Sequence, residues 1–395
     1  MQTIFLAVLI ISCGASAPNQ EILWNELCRK FNMLYQQGLY SEASKVADEA
    51  LKVGEKAFGP DHPNVATSLN NLALLYYKQG KYAEAEPLYK QSLAIREKAL
   101  GPNHPDVAES LNNLASVYQD QGKYAEAEPL YKRSLVMREK ALEPNDSEIT
   151  ILLNNLASLY SDQGKYAEAE SLYKQSLAIK EKTLPPDHPD IARSLNNLAA
   201  LYKNQGKHAD AEFLYKKALA MWEKAPKPNH DEVAKLLNNL ALLYKGQGKY
   251  AEAEPLFKRS LSMTERSLGP DHPEVSTTLH NLAGLYRDQG EYTEAESLYK
   301  RSLAIWEKAL GPDHPNVAKS LNGLALLYDK QGKNVEVEPL YKRALAIREK
   351  ALGPEHPDVA SVCENMAKFY RKIGNTKEAQ KFEIRAQKIR SGKKS

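Results

Sequence analysis

The residues that invite chemistry in this chain recur at one interval. His62, His104, His188, His230, His272, His314 and His356 are spaced by 42 residues or twice that. Imidazole is the commonest metal ligand, so a zinc site is the first reading to test. Ligands of one zinc lie within about 2 Å of the ion, whereas packed helices sit roughly 8–10 Å apart. Equivalent positions in successive copies therefore cannot converge on one metal, and a role at helix starts fits these histidines better. Glu84/Glu86-type pairs read as solvated helix faces. The phosphate-loop, nucleophile-elbow, zinc-protease and C-x-x-C patterns are missing, so the sequence offers no catalytic residue, no metal ligand set and no cofactor. The paired asparagines are different. Asn70/Asn71, Asn112/Asn113, Asn154/Asn155, Asn196/Asn197 and Asn238/Asn239 recur in register, Asn281 and Asn365 continue the second member, and Gly323 interrupts it. Asparagine is a poor helix former, so repeating it in mid-helix implies that its amide is used.

Composition narrows the class further. The chain has 395 residues, 43% hydrophobic and 26% charged, and 53 basic residues against 50 acidic ones leave a net charge of +3. That balance supplies no reason to expect nucleic acid. Cys13, Cys28 and Cys363 are too few for a disulfide scaffold, and the last two fall at opposite ends of the repeats. Residues 1–17 stand apart as a signal peptide or lipoprotein leader, with the apolar run Ile4 to Ile11 at its centre. Ile10-Ile11-Ser12-Cys13 resembles a bacterial lipobox, which would make Cys13 the lipid-carrying residue; Ala15-Ser16-Ala17 is a competing A-x-A site, followed by Pro18. A positive n-region is missing, so a chain retained in the cytoplasm stays open beside the exported, envelope or periplasmic one.

The elements that position these residues follow from a glycine. Gly38, Gly80, Gly122, Gly164, Gly206, Gly248, Gly290, Gly332 and Gly374 keep a 42-residue register without a slip. A period of that size signals a solenoid rather than separate domains. Leu69, Leu72, Ala73 and Tyr76 mark one stripe of a helix over about 64–79, and Ala85, Leu88, Tyr89 and Leu93 mark a second that runs to about Leu100. Gly80 turns the chain between them, which makes the pair antiparallel. The alanines in the Ala85 register pack against the tyrosines in the Tyr89 register as core. In Gly59-Pro60-Asp61-His62-Pro63 the glycine stops one helix, and Asp61 is expected to N-cap the next. Pro87, Pro129, Pro255 and Pro339 are expected to loosen the start of the second helix. Three joints depart from the pattern, at 143–146, at Leu184-Pro185-Pro186 and at 225–228. The organisation is a degenerate capping repeat at 18–59, seven 42-residue repeats at 60–358, a C-terminal capping repeat at 359–391 and a polar tail at 392–395.

With Leu72, Ala73, Tyr76, Gly80, Tyr82, Ala85 and Tyr89 in place, the copy resembles the tetratricopeptide repeat, and the 42-residue version with LNNLALLYYKQGKYAEAEPLYK and EKALGPNHPDVA is similar to that of kinesin light chains. The resemblance implies an all-α, right-handed solenoid of about nine helix pairs whose first helices line a concave groove. It further implies that Asn71, Asn113, Asn155, Asn197, Asn239 and Asn281 hold the backbone of an extended peptide there; the competing reading is that the amides tie neighbouring repeats together. Lys203, Lys245 and Arg287, with Arg193 and Lys235, would make the middle-to-late groove basic against Asp288, while Glu109, Asp120 and Asp162 make its early part acidic. The expected partner is a protein or peptide with acidic segments, and the expected role is a scaffold or adaptor without enzymatic activity. A kinesin-light-chain-like cargo adaptor and a self-assembling structural array are the alternatives; the membrane enters only through Cys13, and the oligomeric state is left open.

Overall fold

The computed structural model describes residues 17–141, 147–225 and 229–392. The candidate lipid site Cys13 and the divergent joints at 143–146 and 226–228 lie outside the described residues. The described residues form nine helical hairpins and no strand. The first helix of each is α1 (Ala17–Gln36), α3 (Pro63–Lys78), α5 (Pro105–Asp120), α7 (Ser147–Asp162), α9 (Pro189–Asn204), α11 (His230–Gly246), α13 (Pro273–Gln289), α15 (Pro315–Gln331) and α17 (Pro357–Lys372). The returning helices are α2 (Tyr40–Phe58), α4 (Tyr82–Leu100), α6 (Tyr124–Ala141), α8 (Tyr166–Thr183), α10 (His208–Lys224), α12 (Tyr250–Leu268), α14 (Tyr292–Leu310), α16 (Asn334–Leu352) and α18 (Thr376–Arg390).

The turn inside each hairpin is a Schellman motif. Beyond α3, Gly80 takes φ +69°, its N–H donates to the Tyr77 carbonyl at 3.0 Å, and Lys81 N–H reaches Tyr76 O at 2.8 Å. The start of the next helix corrects one expectation. The N-cap of α3 is His62, not Asp61: the extended His62 accepts the Asn64 N–H on Nδ1 at 3.1 Å. Pro63 occupies the first helical position and pushes the residue before it out of helical backbone, so the cap must be that residue. Asp61 instead pairs with Lys98 at 2.5 Å. His104, His188, His272, His314 and His356 cap in the same way. The returning helices run unbroken through the exposed Pro87, Pro129, Pro255 and Pro339, where water can satisfy the carbonyl left without a donor.

The core repeats with the sequence. Ala85, Ala127, Ala169, Ala211, Ala253 and Ala295 are wholly buried, and Tyr89, Tyr131, Tyr215, Tyr299 and Phe257 fill the space beside them. Each such ring contributes roughly 1.5–3 kcal/mol through burial. First helices touch the next first helix, as α5 does α7 and α13 does α15, while each returning helix packs between them and the outside. The first helices therefore lie on the inside of the curve.

The curve closes on itself. Helix α2 touches α14, and α4 touches α16, so the hairpin turns of the first repeats meet the linkers that lie six repeats further on. A Cβ on Gly80 would lie 2.3 Å from Pro315 Cδ, and one on Gly122 would lie 3.0 Å from the His356 ring. His314 Nε2 sits 3.2 Å from the Lys78 carbonyl, a spacing that suits donation from the ring because Nδ1 already accepts from Asn316. Burial lowers the His314 pKa to about 4, with the Lys78 carbonyl opposing it.

Candidate functional site

The polar face of the first helices is built from two ladders. In the first, the second asparagine of one repeat donates its amide to the first asparagine of the repeat before. Asn113 Nδ2 reaches Asn70 Oδ1 at 3.0 Å, Asn155 reaches Asn112 at 2.8 Å, Asn239 reaches Asn196 at 2.9 Å, Asn281 reaches Asn238 at 3.0 Å and Asn365 reaches Asn322 at 3.1 Å. A side-chain amide has two donors and an acceptor, so each of these half-buried second asparagines retains an N–H and its carbonyl for another partner. Two rungs are missing for visible reasons: Asn71 faces the register of Cys28, and Gly323 faces that of His280. A third is missing although both residues are present. Asn154 Oδ1 is buried without a partner, and Asn197 has no bond to it.

The second ladder lies about two turns further along each first helix and escaped sequence reading. The Tyr77 hydroxyl donates to Asp120, Gln119 Nε2 reaches Asp162 at 2.6 Å, Lys245 Nζ pairs with Asp288 at 3.0 Å, and Lys372 with Asp329 at 2.7 Å. Each pair is offset by 43 residues, the step that brings one repeat's helix against the next. The signal was the register of Tyr77, Gln119, Lys203, Lys245 and Arg287 read against Asp120, Asp162, Gly246, Asp288 and Lys330. Lys203 falls opposite Gly246 in this register, and the Cβ position of that glycine is open space. Arg287 meets Lys330 and turns to its own neighbour, Asp288, at 2.8 Å.

The charges differ along the face. Burial raises the Asp120 pKa, with nearby Asp162 adding to the effect; burial likewise raises Asp162. Burial also pushes Asp288 up, but Arg287 and Lys245 overcome it and hold the carboxyl below its usual range. Burial lowers the Lys203 pKa. Of the basic residues singled out from sequence, Arg193 pairs with Asp190 at 2.5 Å, and Lys235 lies 3.9 Å from Glu232 and 3.8 Å from Glu274. Glu109 is spent on Arg96 at 3.0 Å. Lys203 has no ion-pair partner among the described residues.

The Glu86 register is a correction. These carboxylates are junctions between repeats rather than a solvated face: Glu86, Glu128, Glu170, Glu212, Glu254 and Glu296 each accept the tyrosine hydroxyl of the following repeat, from Tyr118 at 3.3 Å to Tyr328 at 2.9 Å. The bond from Lys132 holds the Glu128 pKa near 2, against the opposing effect of burial. Among the described residues no group of three His, Cys, Asp or Glu could hold a metal ion, and no helix is long and apolar enough to cross a membrane. Cys28 and Cys363 are free thiols.

Comparison with known proteins places this architecture. No curated protein matches the chain significantly. Among solved structures, a Podosopora anserina chain of nearly identical TPR-like repeats, assigned to the kinesin light chains, is 29% identical over 52% of this chain and 98% of its own, with a TM-score of 0.43. BtubC (BKLC) from P. vanneervenii is 23% identical over 58% of this chain and 91% of its own, with a TM-score of 0.48. A Rap protein complexed with competence and sporulation factor shares the fold over 95% of this chain and 98% of its own, at 15% identity and a TM-score of 0.61. The tetratricopeptide repeat profile matches residues 32–98, 68–140, 148–224, 232–301, 274–350 and 334–391. With its hairpins, core and periodic turns accounted for by that profile almost end to end, the chain belongs to the tetratricopeptide repeat family.

Proposed function

We propose that the chain is a non-catalytic scaffold that binds an extended peptide with acidic side chains along the inner face of its first helices. The observation that carries this reading is the coincidence at α9: Asn197 makes no rung, Asn154 Oδ1 is buried without a partner, and Lys203 falls opposite the open Cβ position of Gly246. An extended backbone can bond the Asn197 amide that the missing rung leaves unused, and a carboxylate suits the ammonium. Asn71, Asn113, Asn155, Asn239 and Asn281 extend the same face with their spare amide groups, while Lys245 and Arg287 contribute less because Asp288 already holds both. Selection of peptides from a random display library on the full chain, followed by hydrogen exchange with the winner bound, tests this. Acidic winners that protect α7, α9 and α11 support it; winners without acidic residues, or protection confined to the returning helices, would sink it.

A second reading, a self-assembling array, is favoured by the seam between turns. The turn glycines Gly164, Gly206, Gly248, Gly290, Gly332 and Gly374 have nothing within 4 Å of a built Cβ, so corners like those that meet a linker within the chain stay open. Sedimentation velocity across a range of concentrations separates a growing assembly from a constant monomer. For the leader we propose export with a lipid on Cys13. The mass of the mature N-terminus tests it: a diacylated Cys13 is expected, and an intact Met1 contradicts export.

A further inference from the structure

A second, separate feature of the inner face lies around His280. This residue stands where other repeats carry the first asparagine of the ladder, and its counterpart across the joint is Gly323. A Cβ on Gly323 would fall 2.5 Å from the Tyr299 ring, so the glycine admits that ring, which meets His280 edge-on with centroids 5.2 Å apart. Trp306 lies 6.0 Å from the same imidazole. His280 Nδ1 is buried without a partner. Burial holds the ring neutral, and Lys319, Arg287, Lys245 and Arg348 all act on it in the same direction.

Those four cations have too few acids. In the repeats before, the register of Lys319 carries Arg193 and Lys235, and each has carboxylates three residues back and on the next repeat, namely Asp190 with Glu232 and Glu232 with Glu274. For Lys319 the residue three back is Asn316, which leaves only Asp358. Arg348 already holds Asp358, with Nη1 at 2.7 Å from its carbonyl and 3.3 Å from its carboxylate. Arg348 is itself buried, and its Nε–H has no partner. Burial lowers the Lys319 pKa, and repulsion from Arg348 adds to it. Among the described residues the carboxylates paired with these cations are Asp288, held by Lys245 and Arg287, and Asp358, held by Arg348, so two more cations than acids act around the imidazole.

We propose that the inner face of the seventh and eighth repeats, around His280, Lys319 and Arg348, is an anion site for a phosphomonoester dianion, presented on a phosphorylated segment of the bound peptide. A dianion matches the excess charge and accepts from Lys319, while the buried guanidinium of Arg348 adds its charge from behind and the His280 imidazole can share a proton. The inference rests on the groove reading only for the source of the phosphate, and the experiment separates the two.

The chain has three tryptophans, so labelling with 5-fluorotryptophan gives three fluorine resonances, assigned by single Trp→Phe variants. Titration of the full chain with inorganic phosphate at constant ionic strength should move the Trp306 resonance saturably and leave the other two in place. Lys319→Gln should weaken that response roughly tenfold or more, the usual scale for a charge-assisted hydrogen bond, and Lys319→Arg should restore most of it. Lys308→Gln, on an exposed lysine paired with Asp271, should change nothing. The site is overturned if chloride at equal ionic strength produces the same shift, or if Lys319→Gln, folded by circular dichroism, binds phosphate as the parent does. A phosphoserine peptide that binds more tightly than free phosphate supports site and groove together. If free phosphate binds and the phosphopeptide gains nothing, the site stands and the groove reading falls; an acidic peptide bound to the inner face without any phosphate response gives the reverse.

Discussion

The joint between α5 and α7 and the joint between α11 and α13 share one backbone geometry and carry opposite electrostatics. In the early joint a neutral donor, Gln119, meets Asp162, and Asp120 sits behind it with the Tyr77 hydroxyl; both carboxyls are pushed up by burial. In the late joint Lys245 and Arg287 converge on Asp288, which is held below its usual range despite burial. The same offset of one repeat thus yields an early stretch in which Lys78 acts on Asp120 without overcoming its burial, and a late stretch in which two cations share one carboxylate. The difference teaches that the inner face is a frame whose rungs are interchangeable, so that charge along it is set residue by residue while the fold stays constant.

Breaking the late joint should cost most. Asp288→Asn leaves Lys245 and Arg287 partly buried without their carboxylate, and removal of one member of such a cluster should destabilise by about 2–3 kcal/mol. Local hydrogen exchange in α13 reads this better than a global midpoint, because solenoids unfold in segments. Asp120→Asn is expected to do the opposite. The amide can still accept from Tyr77 and no longer carries a charge that burial penalises, so α5 should exchange as slowly as before or gain up to about 1 kcal/mol at neutral pH.

Acid sharpens the contrast through linkage. Asp120 and Asp162 have raised folded-state pKa values, so the stability they contribute is complete below their unfolded values and is lost as pH rises through the folded ones. Asp288 is depressed, so its contribution is present above its unfolded value and is lost as pH falls through the folded one. Acidification from neutrality to about pH 4, near the ordinary aspartate value, should therefore slow exchange in α5 and α7 relative to α13. The Glu86-register junctions hold longer: with Glu128, Glu170 and Glu296 near 2, their contribution fades only as pH falls from the ordinary glutamate value toward 2. Parallel exchange rates in all joints across this range would contradict the opposite shifts.

The smallest effects concern single rungs of the asparagine ladder. Asn239→Ala removes a bond to Asn196 and should cost about 1 kcal/mol. Asn197→Ala removes no rung, and its stability should stay within a few tenths of the parent. Equal losses at both positions would show that Asn197 is tied into the joint after all.

Much of the fold was legible because the repeat writes each local decision many times. Turn glycines, buried alanines and aromatic partners follow from helical spacing alone, and the helix over 63–78 falls within a residue of where the stripe from Leu69 to Tyr76 places it. The partners across joints were not legible, because a bond between residues 43 apart depends on how far one hairpin is displaced on the next. For the asparagines, periodicity alone could not separate a tie between repeats from a ligand contact; the rungs show the ties, and the spare amide groups leave the second use untouched. His62 in place of Asp61 as the cap was missed for a local reason: the proline at the first helical position decides which residue is outside the helix. The seam between Gly80 and Pro315 depends on the pitch of the whole superhelix, which no single repeat encodes.

The most direct test of the account is the affinity of one selected acidic peptide for the parent chain, for Lys203→Gln and for Lys245→Gln. Lys203 has no carboxylate to lose, whereas Lys245 is shared with Asp288. The account predicts a loss of roughly tenfold or more for Lys203→Gln with an unchanged thermal midpoint, and a smaller loss of affinity with a lower midpoint for Lys245→Gln. Equal affinity of the Lys203→Gln variant and the parent would contradict it.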